Sequence, residues 1–415
     1  MGYLLVEGGR PLSGRIAVEG AKNAALPACV ASLLTDGPIV LHRIPQLRDV
    51  STILFTIGEL GKRVIRNGPD LLIAGAPLSF EANPYSVRQM RASFLVLGPL
   101  VARFGRAVVP LPGGCSIGPR PVDLHLKGLQ ALGARVEERD GAVAVMADRL
   151  RGCRIELPFP SVGATEQLLM VASLADGETE IANGAIEPEV IDLVSLLRKM
   201  GSNVEIDGRT FRIEGRTSLS GAEHTLIPDR MEAGTLLLAG AITGGEVTVE
   251  GVEPGHLEAF LEALSASGLT IGEGDGELTV VPRGRPGPVE VKTGPHPGFP
   301  TDLHPPLAAY LSVGRGTSRV TEGVFERRFT YVDGLRSMGA QIAVSGRTGS
   351  ITGVKRLRGS SLVAPDIRAG AALLLAGLAA EGETRVSGLE QIDRGYAGIE
   401  DKLSRLGAKV ERTND

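Results

Sequence analysis

One phrase recurs six times along this chain: a large residue or a serine, then a glycine, two variable residues and an aliphatic one. The copies centre on Gly61, Gly133, Gly201, Gly268, Gly339 and Gly407, with gaps of 72, 68, 67, 71 and 68 residues between successive glycines. Six units of about 69 residues account for nearly all 415 positions, and a repeat of that period constrains the fold more than any single motif. Each phrase has the chemistry of a helix end followed by a strand. The glycine supplies the left-handed residue that stops a helix. The preceding segment is amphipathic, as in residues 190–199. The following segment often alternates through a turn, as in residues 204–213, and this predicts a hairpin.

A second phrase lies upstream in each unit. A small or polar pair opens a run that is apolar nearly all round and closes at another glycine before a strand. The runs begin near Asn23, Ala92, Ala164, Ala233, Asp302 and Ala369, and close at Gly37, Gly105, Gly177, Gly245, Gly316 and Gly382. A helix apolar on every face is a buried helix. Each unit therefore reads strand, buried helix, strand, amphipathic helix, hairpin, which is an α/β pattern. The amphipathic helix is expected to cover one face of a sheet and the buried helix to fill the centre. Long solenoids need polar capping repeats, and none is visible. Two globular domains of about three units each are expected, and the symmetry fixes no exact boundary between them.

Glycine is abundant, 56 residues or about twice the usual share, but it has no collagen period. With 43% apolar residues the chain is no disordered linker. Lys plus Arg number 44 and Asp plus Glu 48, so the net charge of −4 gives no global attraction to nucleic acid or to an anionic membrane. Aromatics make up only 4% and Trp is absent, which excludes a base-stacking platform. Apolar runs such as 369–380 are too short to span a bilayer. No secretory leader pattern opens the sequence. The three cysteines, Cys29, Cys115 and Cys153, form neither a disulfide framework nor a zinc pattern. A cytoplasmic protein without a metal or other cofactor is expected.

The starts of the buried helices are where chemistry is expected. Helix N-termini carry orphan N–H groups and partial positive charge. Cations stand before the runs at Asn23, Ala92 and Ala369, although a helix start favours acids. Lys22, Asn23, Arg91, Gly163, Asp302 and Arg368 could thus serve a polyanion such as a phosphate or diphosphate. Residues 111–121 form a loop rich in glycine and proline around Cys115, where Arg120 would stabilise a thiolate. Cys29 and Cys153 read as buried, inert thiols. The loop also fits G-x-S-x-G at Gly114–Gly118, but Pro119 and Pro121 oppose the helix that a nucleophile elbow requires. On their own, Arg327, Arg328 and Arg394 read as solvated arginines.

Taken in order, several segments resemble the UDP-N-acetylglucosamine 1-carboxyvinyltransferases, enolpyruvyl transferases that open peptidoglycan synthesis and are targets of fosfomycin. They are Gly20-Ala21-Lys22-Asn23-Ala24-Ala25-Leu26-Pro27, Met90-Arg91-Ala92-Ser93, residues 111–125, Ser161-Val162-Gly163-Ala164-Thr165 and Pro228-Asp229-Arg230. Phe299-Pro300-Thr301-Asp302, Val324-Phe325-Glu326, Arg328-Phe329, Asp366-Ile367-Arg368-Ala369 and Ile392-Asp393-Arg394-Gly395-Tyr396 continue the set. The resemblance implies a two-domain inside-out α/β barrel built from six βαβαββ repeats. Residues 22–228 would form one domain, 1–21 and 229–415 the other, with the active site in the cleft between them. It implies small-molecule substrates: enolpyruvyl would pass from phosphoenolpyruvate to the 3′-hydroxyl of UDP-N-acetylglucosamine, releasing phosphate. Oligomeric state stays open.

The resemblance also assigns residues. Lys22, Asn23, Arg120 and Arg394 would bind phosphoenolpyruvate. Cys115 would protonate its methylene carbon, and Lys22 and Arg394 would share in catalysis. Asp302 would contact the acceptor hydroxyl as the candidate base. Arg91, Arg120, Pro121, Val122, Asp123, Leu124, Ser161, Val162, Gly163, Asp302 and Val324 would hold the UDP-sugar, with Arg328, Asp366 and Arg368 in support. Three positions depart from the family pattern. Leu303-His304-Pro305-Pro306 follows Asp302 where the family usually has Gln-Ala-Gln. Arg327 replaces an asparagine, and Gln391 replaces a common histidine. The two prolines should shift the start of that buried helix. The alternatives are a paralogue with another hydroxyl acceptor and a non-catalytic UDP-sugar-binding regulator.

Overall fold

The computed structural model describes residues 2–113, 117–118 and 121–413. The chain divides into two compact units. The first holds most of residues 20–227. The second holds residues 2–19 and 228–413, together with Ile117 and Gly118.

Apolar helices lie at the centre of each unit. In the first these are α1 (Lys22–Ala31), α2 (Leu97–Phe104, after the 3-10 turn Arg91–Val96) and α3 (Val162–Ala172). In the second they are α4 (Arg230–Thr243), α5 (His304–Ser312, after the 3-10 turn Thr301–Leu303) and α6 (Ile367–Ala379). Leu236, Leu237 and Leu238 follow one another along α4 and all are fully buried. Burial of each contributes about 2 kcal/mol. Glycine lets these helices approach closely. A Cβ on Gly98 would lie 2.7 Å from the Gln167 side chain of α3, and one on Gly234 would lie 2.7 Å from Leu303.

Sheets surround the helices. In the first unit Ala222–Thr225 pairs parallel with Ile39–His42, which joins the hairpin of Arg63–Asn67 and Asp70–Ala74. Arg154–Glu156 pairs parallel with Glu178–Ala182, which joins Asn203–Asp207 and Thr210–Glu214 in the same way. Arg106–Pro110, Ala142–Met146 and Arg135–Arg139 form the third sheet. The second unit repeats the plan. Gly14–Ala17 pairs parallel with Val247–Glu250, and Glu290–Lys292 with Thr317–Thr321. In its last sheet Tyr3–Glu7 lies between Glu383–Ser387 and Lys409–Thr413, antiparallel to both. The N-terminal strand thereby completes the sixth repeat.

The outer amphipathic helices, such as Arg48–Glu59 and Pro188–Lys199, end at the phrase glycines. Gly61, Gly133, Gly201, Gly268, Gly339 and Gly407 all have φ between 94° and 105°. Of the second glycine set, Gly105, Gly177, Gly316 and Gly382 are also left-handed. Gly37 and Gly245 are not, contrary to the expectation of a helix stop. Gly244, with φ of 74°, caps α4 instead. Gly245 is needed for another reason: a Cβ there would lie 1.8 Å from the Leu12 carbonyl oxygen.

Candidate active site

In the first unit the buried helices start without acidic residues in the first turn. Lys22 is the first residue of α1, and Ala21 before it offers no side-chain cap. The lysine is buried, and its Nζ lies 3.3 Å from Oδ2 of Asp49, a buried carboxylate in the first turn of Arg48–Glu59. Asn23 beside it is partly exposed. No repeat or motif marks Asp49 as the partner of Lys22.

Arg91 opens the 3-10 turn, and its Nη2 donates to the Pro121 carbonyl at 2.7 Å. That bond holds the entry to the helix Asp123–Ala131, with Val122 at its cap and Leu124 in its first turn. A hydrogen bond from Lys127 (3.0 Å) holds the Asp123 carboxyl below its usual range. Ser161 caps α3, accepting from the Ala164 N–H at 3.4 Å, and Val162 is its first residue. Gly163 lies over the His125 ring, where a Cβ would approach to 3.2 Å. His125 is buried, bonded to Gln167 Oε1 at 3.1 Å and edge-on to Phe94. Cys115 and Arg120 lie outside the described residues.

The second unit differs: Asp229, Asp302 and Asp366 stand at the starts of its three buried helices. Asp229 and Asp366 are N-caps, each accepting two backbone N–H bonds at 2.8–3.0 Å. Asp302 sits in the 3-10 turn that precedes α5. The prolines occupy the second and third positions of α5, where no intrahelical N–H is required. As the sequence suggested, this helix starts late: two residues after its aspartate, against one in α4 and α6.

Asp302 is instead held by guanidiniums. Arg328 Nη2 donates to Oδ1 at 2.7 Å, and Arg368 Nε to Oδ2 at 3.0 Å. Arg328 also donates from Nε to the Thr301 carbonyl at 3.1 Å. Both arginines are buried, whereas the Asp302 side chain keeps 28% of its exposure. Arg328 is therefore not the solvated residue its local sequence suggests, because its partners lie 26 and 27 positions upstream. Burial disfavours the Arg368 charge, but Tyr396, Asp302 and Asp229 more than offset this, so the guanidinium is held protonated. The two guanidiniums thus fix the carboxylate in place while part of it faces solvent, where it can accept a further hydrogen bond.

A further buried group adjoins it. Glu322 Oε1 accepts the Val324 and Phe325 N–H groups at 2.8 and 3.0 Å. Its Oε2 accepts from Thr301 Oγ1 at 3.0 Å and from His304 Nδ1 at 2.9 Å. Neither Glu322 nor Tyr331, which completes the network, was marked by any repeat or motif. Arg394 is part-buried and donates to Gln391 Oε1 at 3.2 Å. Of the two remaining cysteines, Cys29 is buried and its thiol is pushed up to about 12. Cys153 is only partly buried, contrary to expectation, because it lies in an edge segment where its thiol reaches the Ala131 carbonyl.

The family model for EPSP synthase (3-phosphoshikimate 1-carboxyvinyltransferase) matches residues 6–403. With this two-unit fold of six repeats, the chain belongs to that family of enolpyruvyl transferases. Among its relatives, UDP-N-acetylglucosamine 1-carboxyvinyltransferase 1 of Symbiobacterium thermophilum is 49% identical across 98% of this chain and 94% of its own. The UDP-N-acetylglucosamine 1-carboxyvinyltransferase of Halorhodospira halophila is 46% identical across the full length of both. Among solved structures, the enolpyruvyl transferase NikO from Streptomyces tendae superposes with a TM-score of 0.90 at 25% identity, covering 100% of this chain and 99% of its own. An EPSP synthase from Acinetobacter baumannii shares the fold at 20% identity and a TM-score of 0.76, with full coverage of both chains.

Proposed function

We propose that this chain transfers the enolpyruvyl group of phosphoenolpyruvate to the 3′-hydroxyl of UDP-N-acetylglucosamine, the opening step of peptidoglycan synthesis. The observation that carries this reading is 46–49% identity to enzymes of that name over nearly the whole chain. Both units contribute residues. Lys22, Asn23, Arg120 and Arg394 bind the phosphoenolpyruvate trianion. Cys115 gives a proton to its methylene carbon as the acceptor oxygen bonds to C2, and Asp302 takes the proton of that hydroxyl. Loss of phosphate and of a proton from the new methyl group then restores the double bond. Arg91, residues 120–124, Ser161, Val162, Gly163 and Val324 hold the UDP-sugar. Residues 22–228 and 1–21 with 229–415 act as the two functional domains. The reaction and its substrates suit the cytoplasm.

The grip of Arg328 and Arg368 on Asp302 supports this assignment, since it fixes the carboxylate beside the start of α5. Leu303-His304-Pro305-Pro306 directly after Asp302 favours, as a second reading, a paralogue with another hydroxyl acceptor. Following phosphate release from phosphoenolpyruvate with UDP-N-acetylglucosamine separates the two. Release that saturates with the UDP-sugar supports the first reading. Release only with another acceptor supports the paralogue, and UDP-sugar binding without any release would make the chain a regulator.

A further inference from the structure

The described residues place an ionisable group, Glu322, between two segments that the proposed reaction needs at a fixed spacing. It is fully enclosed, as is His304. Its four acceptor bonds run in two directions: to the backbone of Val324 and Phe325 through Oε1, and to Thr301 and His304 through Oε2. Thr301 precedes Asp302 in the same 3-10 turn, and its carbonyl is tied to Arg328. One carboxylate therefore joins the turn that carries Asp302 to the loop that carries Val324 and leads to Arg328.

His304 keeps that carboxylate in place. Tyr331 donates its hydroxyl to Nε2 at 2.8 Å, which leaves Nδ1 as the N–H that Glu322 accepts. The rings of Phe329 and Tyr331 stand edge-on to the imidazole, with centroids 4.9 and 5.5 Å away, so its rotation is blocked. Burial lowers the histidine pKa and so favours this neutral form. Although burial by itself would raise it, the Glu322 carboxyl is held low by His304 and the two backbone N–H groups. Every polar atom of the Glu322–His304 pair is satisfied, as a buried network must be to be rigid.

We propose that Glu322 and His304 are positioning residues for the acceptor: their buried pair sets the spacing between Asp302 and Val324, and with it the seat of the UDP-sugar hydroxyl. This rests on the function proposed above. A glutamine at 304 can donate the same bond to Glu322, whereas a leucine cannot.

The test is steady-state kinetics on the full chain with His304→Leu, His304→Gln and Glu322→Gln, each checked for its melting temperature. In His304→Leu, KM for UDP-N-acetylglucosamine should rise about tenfold, the size of one lost bond to a charged group, while KM for phosphoenolpyruvate stays within about twofold. His304→Gln should restore most of the loss. Glu322→Gln should be intermediate: its amide oxygen can still take the two backbone N–H groups, and its NH2 can donate to His304 in the other tautomer. Equal shifts in both KM values, or a glutamine variant no better than leucine, would overturn the proposal. Should His304→Leu fail to fold, the same KM split read in Glu322→Gln decides. A wild type with no turnover and no UDP-sugar binding overturns the functional reading and the pair's role with it. A working wild type with unchanged variants overturns the pair alone.

Discussion

Arg368 Nε lies 3.0 Å from Asp302 Oδ2, although 66 residues separate the two in sequence. Each comes from the start of a different repeat, so the repeat symmetry itself brings a cation to the candidate base. Removing the carboxylate would take one counter-charge from two buried guanidiniums, with Asp229 and Tyr396 still beside Arg368. Asp302→Ala should therefore lose about 2 kcal/mol of stability, less than a fully enclosed pair because the carboxylate is partly exposed. Asp302→Asn should lose less stability yet release phosphate about 100-fold more slowly, the size of a general-base contribution. Thermal unfolding and turnover number read the two effects separately, and near-normal turnover in the asparagine variant would remove Asp302 as the base.

Lys22 and Asp49 form an enclosed pair at the start of α1. Lys22→Met breaks this buried ion pair, at a cost of about 3 kcal/mol. Under the proposed function the same variant should raise KM for phosphoenolpyruvate and leave that for the UDP-sugar little changed. Denaturant unfolding and the two KM values check this, and an unchanged phosphoenolpyruvate KM would place Lys22 outside the substrate site.

Thiol chemistry should single out Cys115. Burial pushes the Cys29 thiol up to about 12, so at neutral pH it is almost wholly protonated and inert. Cys153 is partly reachable but also raised by burial, and should react slowly. Intact mass and peptide mapping after fosfomycin treatment with the UDP-sugar present should find a single adduct, on Cys115. An adduct on Cys29 or Cys153 would contradict the assignment.

Glu166 in α3 gives a pH signature independent of activity. It is buried, and its carboxyl is raised well above the ordinary value by burial first and then by Glu189 and Glu187. The folded state thus binds its proton more tightly than the unfolded chain does. Its contribution to stability is full below the unfolded value near 4.5 and is lost as pH rises through the folded one. Glu166→Gln should stabilise the protein at pH 8, and by less at pH 5. Melting curves at both pH values test it, and an equal effect at both would rule out titration of Glu166.

The repeat glycines made much of this architecture legible, because a left-handed helix stop leaves a local mark. Gly61, Gly133, Gly201, Gly268, Gly339 and Gly407 carry it in every copy. The long-range strand pairings left none. Gly14–Ala17 pairs with Val247–Glu250, and Ala222–Thr225 with Ile39–His42, across separations that no periodicity encodes. The same holds for side chains. Arg328 read as solvated because its partners Thr301 and Asp302 are distant in sequence. Gly245 read as a helix stop because close backbone approach and left-handed geometry select the same residue. The prolines after Asp302 were informative, since they delay a helix by simple sterics.

The most direct test of the central claim is the structure of the product. Purified chain is incubated with phosphoenolpyruvate and UDP-N-acetylglucosamine, and the nucleotide-sugar is analysed by mass spectrometry and proton NMR. The predicted result is one carboxyvinyl group on the 3′-oxygen per UDP-sugar, with an equal amount of inorganic phosphate. Unmodified UDP-sugar at saturating concentrations, with enolpyruvyl transferred to shikimate 3-phosphate or another hydroxyl acceptor instead, would contradict it.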